Sequence, residues 1–229
     1  MQSVRAWRNP ITLLVLMSVA MPLAFNTWSA LLNNFAVEQS AFTGVEIGIL
    51  QSLREVPGFL SFTVIFVLLI LKEQTFAVLS LALLGLGVAM TGFFPSEYGL
   101  YFTTVLMSIG FHYFEAIKQS LSLQWLSKDE APQVLGRLIA VGSVTSLIVY
   151  GVLWVLLEVF AVSFMWNLAL AGGLCCLLAF FMWLNFPHFP SKTAQHKTLV
   201  LRRRYWLYYL LTFLSLSLIH ISEPTRRIT

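Results

Sequence analysis

The sequence predicts an all-α integral membrane protein. Of its 229 residues, 58% are hydrophobic and only 10% are charged, whereas soluble domains carry about 25% charged residues. The apolar residues are collected into long stretches separated by short polar or charged segments. A helix that crosses about 30 Å of hydrocarbon needs about 20 such residues. Lipid is therefore the expected solvent for most of this chain.

Six stretches are long enough to span a bilayer as helices. They cover residues 11–32, 45–71, 75–94, 100–126, 134–157 and 164–186. A seventh apolar stretch begins at residue 205 and turns polar after about fifteen residues. The sequence therefore predicts a six-helix transmembrane bundle over residues 1–186, a basic cytoplasmic loop over 187–204 and the start of a truncated seventh helix over 205–215.

The loop charges predict which side of the membrane each loop occupies. With the N-terminus in the cytoplasm, the outside loops hold Glu38, Glu97 and Glu158 but no lysine or arginine. The cytoplasmic side then holds Arg5, Arg8, Lys72, Lys128, Arg137, Lys192, Lys197, Arg202, Arg203 and Arg204. This split follows the positive-inside rule and, with the compact loops, favours a bacterial inner membrane. The net charge of +4 is therefore explained by the basic residues of the cytoplasmic loops and does not indicate nucleic-acid binding.

Ionisable residues cluster in the second and fourth spans. Arg54 and Glu55 lie in the second, and His112, Glu115 and Lys118 lie in the fourth. A charged side chain at the centre of a membrane helix costs about 2.5–3.5 kcal/mol on insertion scales, so such residues persist where they face a polar cavity or pair with one another. We therefore interpret all five as candidates for a solute or proton pathway.

Residue spacing distinguishes the two clusters. In the fourth span, His112, Glu115 and Lys118 follow one another at i,i+3 spacing and are expected to share a face. There they can bind an anionic or zwitterionic solute or pass a proton, although Lys118 can also reach the lipid headgroups. Arg54 and Glu55 are adjacent, so their side chains point about 100° apart and are expected to have different partners. A gate or an interhelical ion pair is the structural alternative for these two.

A faint internal repeat relates the first span to the fourth. "VAMPLAFNTWSALLNN" from Val19 aligns with "VLMSIGFHYFEAIKQS" from Val105, which places Asn26 opposite His112. The two spans cross in opposite directions, as the inverted repeats of secondary transporters do. Asn26 is therefore a further candidate for the solute pathway.

This layout resembles the N-terminal half of a major facilitator superfamily transporter. "FTGVEIGILQSLREVPGFLSF" resembles the start of the family's second helix, and "DEAPQVLGRLIAVGSV" is similar to its loop between helices four and five. The resemblance implies a six-helix bundle, made of two inverted three-helix repeats, from a 12-helix transporter that works by alternating access. The implied partners are a small polar or charged solute, the lipid bilayer and a C-terminal bundle, with a coupling proton as an option through Glu115 or Glu55.

The C-terminal stretch "LSLIHISEPTR", from Leu216 to Arg226, resembles the translation of a sequencing-library adapter. We therefore expect residues 216–229 to be non-native and residues 1–215 to be a truncated half that cannot transport by itself. On this interpretation His220, Ser222 and Glu223 form no catalytic cluster.

The sequence contains no motif that indicates an enzyme, a cofactor or a metal site. It has no phosphate-binding Gly-Lys-Ser loop, no Cys and His set at metal-ligand spacing and no convincing pair of nucleophile and base. Secondary active transport is therefore the leading hypothesis. The alternative is a non-transporting polytopic membrane protein, such as an assembly subunit or a sensor.

Overall fold

Helices account for almost all of the residues that the structure describes. The computed structural model describes residues 7–190, 203–207 and 210–211, and the chain divides into two compact units, Met1–Ala194 and Gln195–Thr229. Over the described residues the chain is helical apart from its connecting loops, and it contains no β-strand. The predicted all-α class is confirmed for this part of the chain.

Seven α-helices lie in the described part of the larger unit. They are α1 Pro10–Ser40, α2 Gly44–Phe59, α3 Val64–Leu68, α4 Glu73–Thr91, α5 Glu97–Trp125, α6 Ala131–Trp154 and α7 Phe164–Asn185. A 3₁₀ turn, Leu60–Thr63, joins α2 to α3, and a π-helical turn, Val155–Val159, extends α6. In chain order, the six predicted spans correspond to α1, α2 with α3, α4, α5, α6 and α7.

Four of the described helices are long and apolar enough to cross a membrane. They are α1, α4, α6 with its π turn, and α7, with 31, 19, 29 and 22 residues. Helix α5 is also long, at 29 residues, but its charged and amide side chains lower its hydropathy. Helix α2 has only 16 residues. The described residues therefore form a membrane protein with four helices that are apolar and long enough to span.

Pro57 explains why the second predicted span is not one continuous α-helix. Proline lacks an N–H group, so it removes one hydrogen bond from the helix and its ring crowds the preceding turn. Helix α2 ends two residues later at Phe59, and the backbone passes into the 3₁₀ turn. Pro22 has a milder effect, since α1 runs through it and continues to Ser40, beyond the predicted end at residue 32.

Glycines allow the backbones of the central helices to approach closely. Helix α4 packs between α5 and α7, while α1 packs on α6 and α7, and α2 packs on α5. A Cβ atom built on Gly110 would lie only 2.3 Å from Leu84 N, and one built on Gly172 would lie 2.4 Å from Ala89 N. Small residues of this kind permit the close van der Waals packing that holds helices together in lipid.

The predicted loop and seventh helix are described only in part. Arg203–Tyr205 forms one 3₁₀ turn, and residues 206–207 and 210–211 are helical. Residues 191–202, 208–209 and 212–229, which include the adapter-like tail, lie outside the described residues.

Candidate functional site

A cavity of about 590 Å³ lies between α1, α5 and α6. This volume is within the range of ligand pockets, about 300–1,000 Å³. Much of the wall is apolar, but Glu115 and Lys118 contribute charges to it. Neutral polar side chains in the same wall are Ser18, Asn26, Gln119, Ser122, Ser143 and Ser146. The cavity therefore combines an apolar surface with groups that can orient a polar solute.

Glu115 and Lys118 form a loose ion pair at the wall of this cavity. Lys118 Nζ lies 3.9 Å from Glu115 Oε1, which is too long for a hydrogen bond. Lys118 Nζ also lies 5.8 Å from the centre of the Phe114 ring. Glu115 Oε1 has no hydrogen-bond partner among the described residues. The two groups therefore attract each other while keeping hydrogen-bonding capacity for a third molecule.

A hydrogen-bonded contact between α1 and α6 forms another part of the wall. Asn26 Nδ2 donates to Ser146 Oγ at 2.7 Å, and Ser146 Oγ donates to the Gly142 carbonyl oxygen at 2.9 Å. A Cβ atom built on Gly142 would lie 3.7 Å from the Ser18 carbonyl oxygen, so α6 packs directly on α1 here. This contact fixes the amide of Asn26 at the cavity, where the sequence repeat predicted it.

A second ionic cluster lies where α2 packs on α5. Arg54 Nε donates to Glu55 Oε1 at 2.8 Å, and Arg54 Nη2 lies 2.7 Å from the same oxygen in an ion pair. His112 Nε2 lies 3.9 Å from Glu55 Oε2. Ser108 Oγ donates to the Arg54 carbonyl oxygen. A Cβ atom on Gly58 would lie 2.8 Å from His112 Cε1, so glycine leaves room for the imidazole. Glu55 therefore lies between two basic groups.

His112 does not share a face with Glu115 and Lys118 as the sequence predicted. Glu115 and Lys118 line the cavity, whereas His112 faces Glu55 on α2 and is not part of the cavity wall formed by the described residues. Three residues turn a helix by about 300°, so each such step moves the side chain about 60° around the axis. Over the two steps from His112 to Lys118 this drift places the side chains in different environments.

The prediction that Arg54 and Glu55 have different partners is also wrong. Their Cα–Cβ bonds diverge, but both side chains are long enough to fold back and pair with each other. Both remain about a quarter exposed, at 25% and 21%. Among the described residues, neither belongs to the cavity wall. The Arg54–Glu55 pair lies within α2, and the contact of Glu55 with His112 on α5 is the interhelical one, so the arrangement matches the ion-pair alternative only in part.

Sequence reasoning missed the serines of the cavity wall. Ser18 is 1% exposed, and its Oγ has no hydrogen-bond partner among the described residues. Ser143 lies on α6 within the stretch "GSVTS" from Gly142, an unusual concentration of small polar residues in an apolar helix. That stretch is the sequence feature that could have indicated a polar face on α6, since small polar residues are typical of contacts between membrane helices and not of surfaces that face lipid.

Comparisons with protein-family models, with curated proteins and with solved structures found no match for this chain. Over residues 7–190, 203–207 and 210–211 there is also no group of three or more His, Cys, Asp or Glu side chains that could hold a metal ion. The interpretation of the site therefore depends on its geometry.

Proposed function

We propose that this chain is the N-terminal bundle of a secondary transporter of the major facilitator type, which moves a small polar or charged solute by alternating access. The observation that carries the proposal is the cavity between α1, α5 and α6, whose wall holds the Glu115–Lys118 pair and the Asn26 amide. Charged groups persist in a membrane bundle where they border a polar passage. A C-terminal bundle would close the other side of that passage.

The packing of the helices supports two inverted three-helix repeats. In such a repeat, α1 corresponds to α5, and α2 with α3 corresponds to α6. The α1–α6 contact therefore corresponds to the α5–α2 contact, and both contacts are present. The remaining helices, α4 and α7, pack on each other. Phe25 and Phe111, which are equivalent in the sequence repeat, stack with ring centres 4.2 Å apart at an interplanar angle of 14°. Contact between equivalent residues is expected close to a two-fold axis.

The proposal places all six spans in the inner membrane of a bacterium, with the N-terminus in the cytoplasm. Helix α5 then crosses the membrane despite its charges, because they face α2 and the cavity rather than lipid. The distribution of lysine and arginine supports this orientation.

Proton coupling through Glu115 or Glu55 is the optional part of the proposal. Glu115 contacts the cavity directly. Glu55 lies between Arg54 and His112, so its protonation would weaken the attraction of both basic groups and loosen the contact between α2 and α5.

Uptake into proteoliposomes by the product of the uninterrupted gene tests this function. We expect at least one small polar metabolite from a radiolabelled panel to accumulate. Glu115→Gln is expected to lower the initial rate at least about tenfold, because a hydrogen bond to a charged group contributes about 1.5–3 kcal/mol. Arg54→Ala is expected to have a smaller effect, since Arg54 lies outside the cavity wall. A protonophore that stops uptake would identify the coupling ion as a proton.

Glu158→Gln is the matched control, because Glu158 is an exposed acid outside the cavity. Unchanged uptake in both Glu115→Gln and Arg54→Ala would remove these residues from the transport pathway. A folded full-length protein that moves no member of the panel would favour the non-transporting alternative.

A further inference from the structure

We propose that the cavity between α1, α5 and α6 binds a zwitterion, specifically an α-amino acid with an apolar side chain. The inference rests on the proposed function, for which it names the class of solute. It follows from the charge of the cavity wall, from the hydrogen-bonding groups left open there and from the apolar surface around them.

The charge of the wall favours a ligand that carries both signs. Among the described residues, Glu115 is the one acid in the wall and Lys118 is the one base. A purely cationic or purely anionic ligand would pair with one of them and leave the other with less compensation, which costs most for Lys118, whose side chain is 19% exposed against 44% for Glu115. The two charged atoms lie 3.9 Å apart. That short separation suits an ammonium and a carboxylate attached to the same carbon atom.

Unused hydrogen-bonding groups indicate the same class of ligand. Glu115 Oε1 and Ser18 Oγ are buried atoms with no hydrogen-bond partner among the described residues, and leaving such an atom without a partner is unfavourable. An ammonium group supplies three N–H donors, which can reach a carboxylate such as Glu115. A ligand carboxylate can accept from Lys118 and from a serine hydroxyl. A zwitterion therefore satisfies groups of both kinds.

The rest of the wall indicates an apolar side chain on the ligand. Met21, Phe25, Phe111 and Leu138 belong to it, and the stacked rings of Phe25 and Phe111 form a flat surface. The cavity volume of about 590 Å³ leaves room for a branched or aromatic side chain beside the charged groups. Burying such a side chain favours binding because it removes apolar surface from water.

Binding of tritiated L-leucine and L-phenylalanine to this chain in lipid nanodiscs tests the inference. We expect saturable binding of at least one of them. For leucine, the matched competitors are 3-methylbutylamine, which lacks the carboxylate, and 4-methylpentanoate, which lacks the ammonium. Each is expected to compete at least about tenfold more weakly than the amino acid, since each loses one charge-assisted interaction. If phenylalanine is the better ligand, phenethylamine and 3-phenylpropanoate take their places.

Variants locate the binding in the cavity. Glu115→Gln and Lys118→Met are each expected to weaken binding at least about tenfold, and Glu158→Gln is expected to leave it unchanged. The charge-swapped double variant, Glu115→Lys with Lys118→Glu, is expected to recover part of the loss. If a variant fails to fold, the competitor series on the unsubstituted chain decides the question.

Two results would overturn the inference: no saturable binding of either amino acid to the folded chain, or competition by an amine or a carboxylate that equals the amino acid. Uptake of a different solute by the full-length protein would then leave the transport function standing. Conversely, amino-acid binding by a full-length protein that transports nothing would keep this site and contradict the transport function.

Discussion

Gly172→Leu is expected to prevent folding of the bundle, whereas Gly173→Leu is expected to leave it intact. A Cβ atom on Gly172 would lie 2.4 Å from both Ala89 N and the Gly85 carbonyl oxygen, so the clash is with backbone and no side-chain rotation relieves it. A Cβ atom on Gly173 meets nothing within 4 Å. Overpacking of a core commonly costs about 1–3 kcal/mol, and we expect more than about 3 kcal/mol where two helices must separate.

Size-exclusion chromatography and the thermal unfolding midpoint of the detergent-solubilised chain measure this difference. Since the two glycines are neighbours on α7, helix propensity and added hydrophobicity are matched. An equal unfolding midpoint for the two variants would contradict the close contact between α4 and α7.

Glu55→Gln is expected to destabilise the chain more than the double substitution Arg54→Gln with Glu55→Gln. Loss of the carboxylate leaves the Arg54 guanidinium, 25% exposed, without its 2.7 Å ion pair beside α5. Breaking a fully buried pair costs about 3–5 kcal/mol, and we expect about 2 kcal/mol here because the pair is partly exposed. Removing both charges abolishes that penalty.

A double-mutant cycle on the unfolding midpoint separates pairing from other effects. Glu158→Gln serves as the control for loss of an exposed carboxylate. Strict additivity of the two single substitutions would mean that pairing between Arg54 and Glu55 contributes nothing to the stability of the chain.

Hydropathy predicts helices in this chain best where the apolar stretch is uninterrupted. The sixth predicted span, 164–186, differs from α7 by one residue at its end. Helix α1 was predicted too short, because Asn33, Asn34 and Glu38 indicate an aqueous loop by hydropathy yet lie within the helix that ends at Ser40. Polarity reports which solvent a residue prefers, whereas the helix continues for as long as backbone hydrogen bonds are satisfied.

The candidate site was predictable only in part, because spacing along one helix does not specify the neighbouring helix. Asn26, Glu115 and Lys118 line one cavity as expected. His112 faces Glu55 instead. The sequence of α5 alone does not show that α2 packs on the side of the helix where His112 lies. The hydroxyl of Ser146 bonds to its own helix, as hydroxyls in apolar helices commonly do, so its sequence position does not indicate that it also faces Asn26.

We propose that the cavity between α1, α5 and α6 is a water-accessible passage inside a membrane bundle. Ser143 lines that cavity, while its neighbour Val144 is 55% exposed and does not belong to the cavity wall. Single cysteines at these two positions, with Cys175 and Cys176 replaced by alanine, form a matched pair. The most direct measurement is their rate of labelling by a charged, membrane-impermeant methanethiosulfonate in nanodiscs.

Thiolate forms in water and is suppressed in an apolar environment. We therefore predict fast labelling of Ser143→Cys and little or no labelling of Val144→Cys. Equal labelling, or faster labelling of Val144→Cys, would contradict the account.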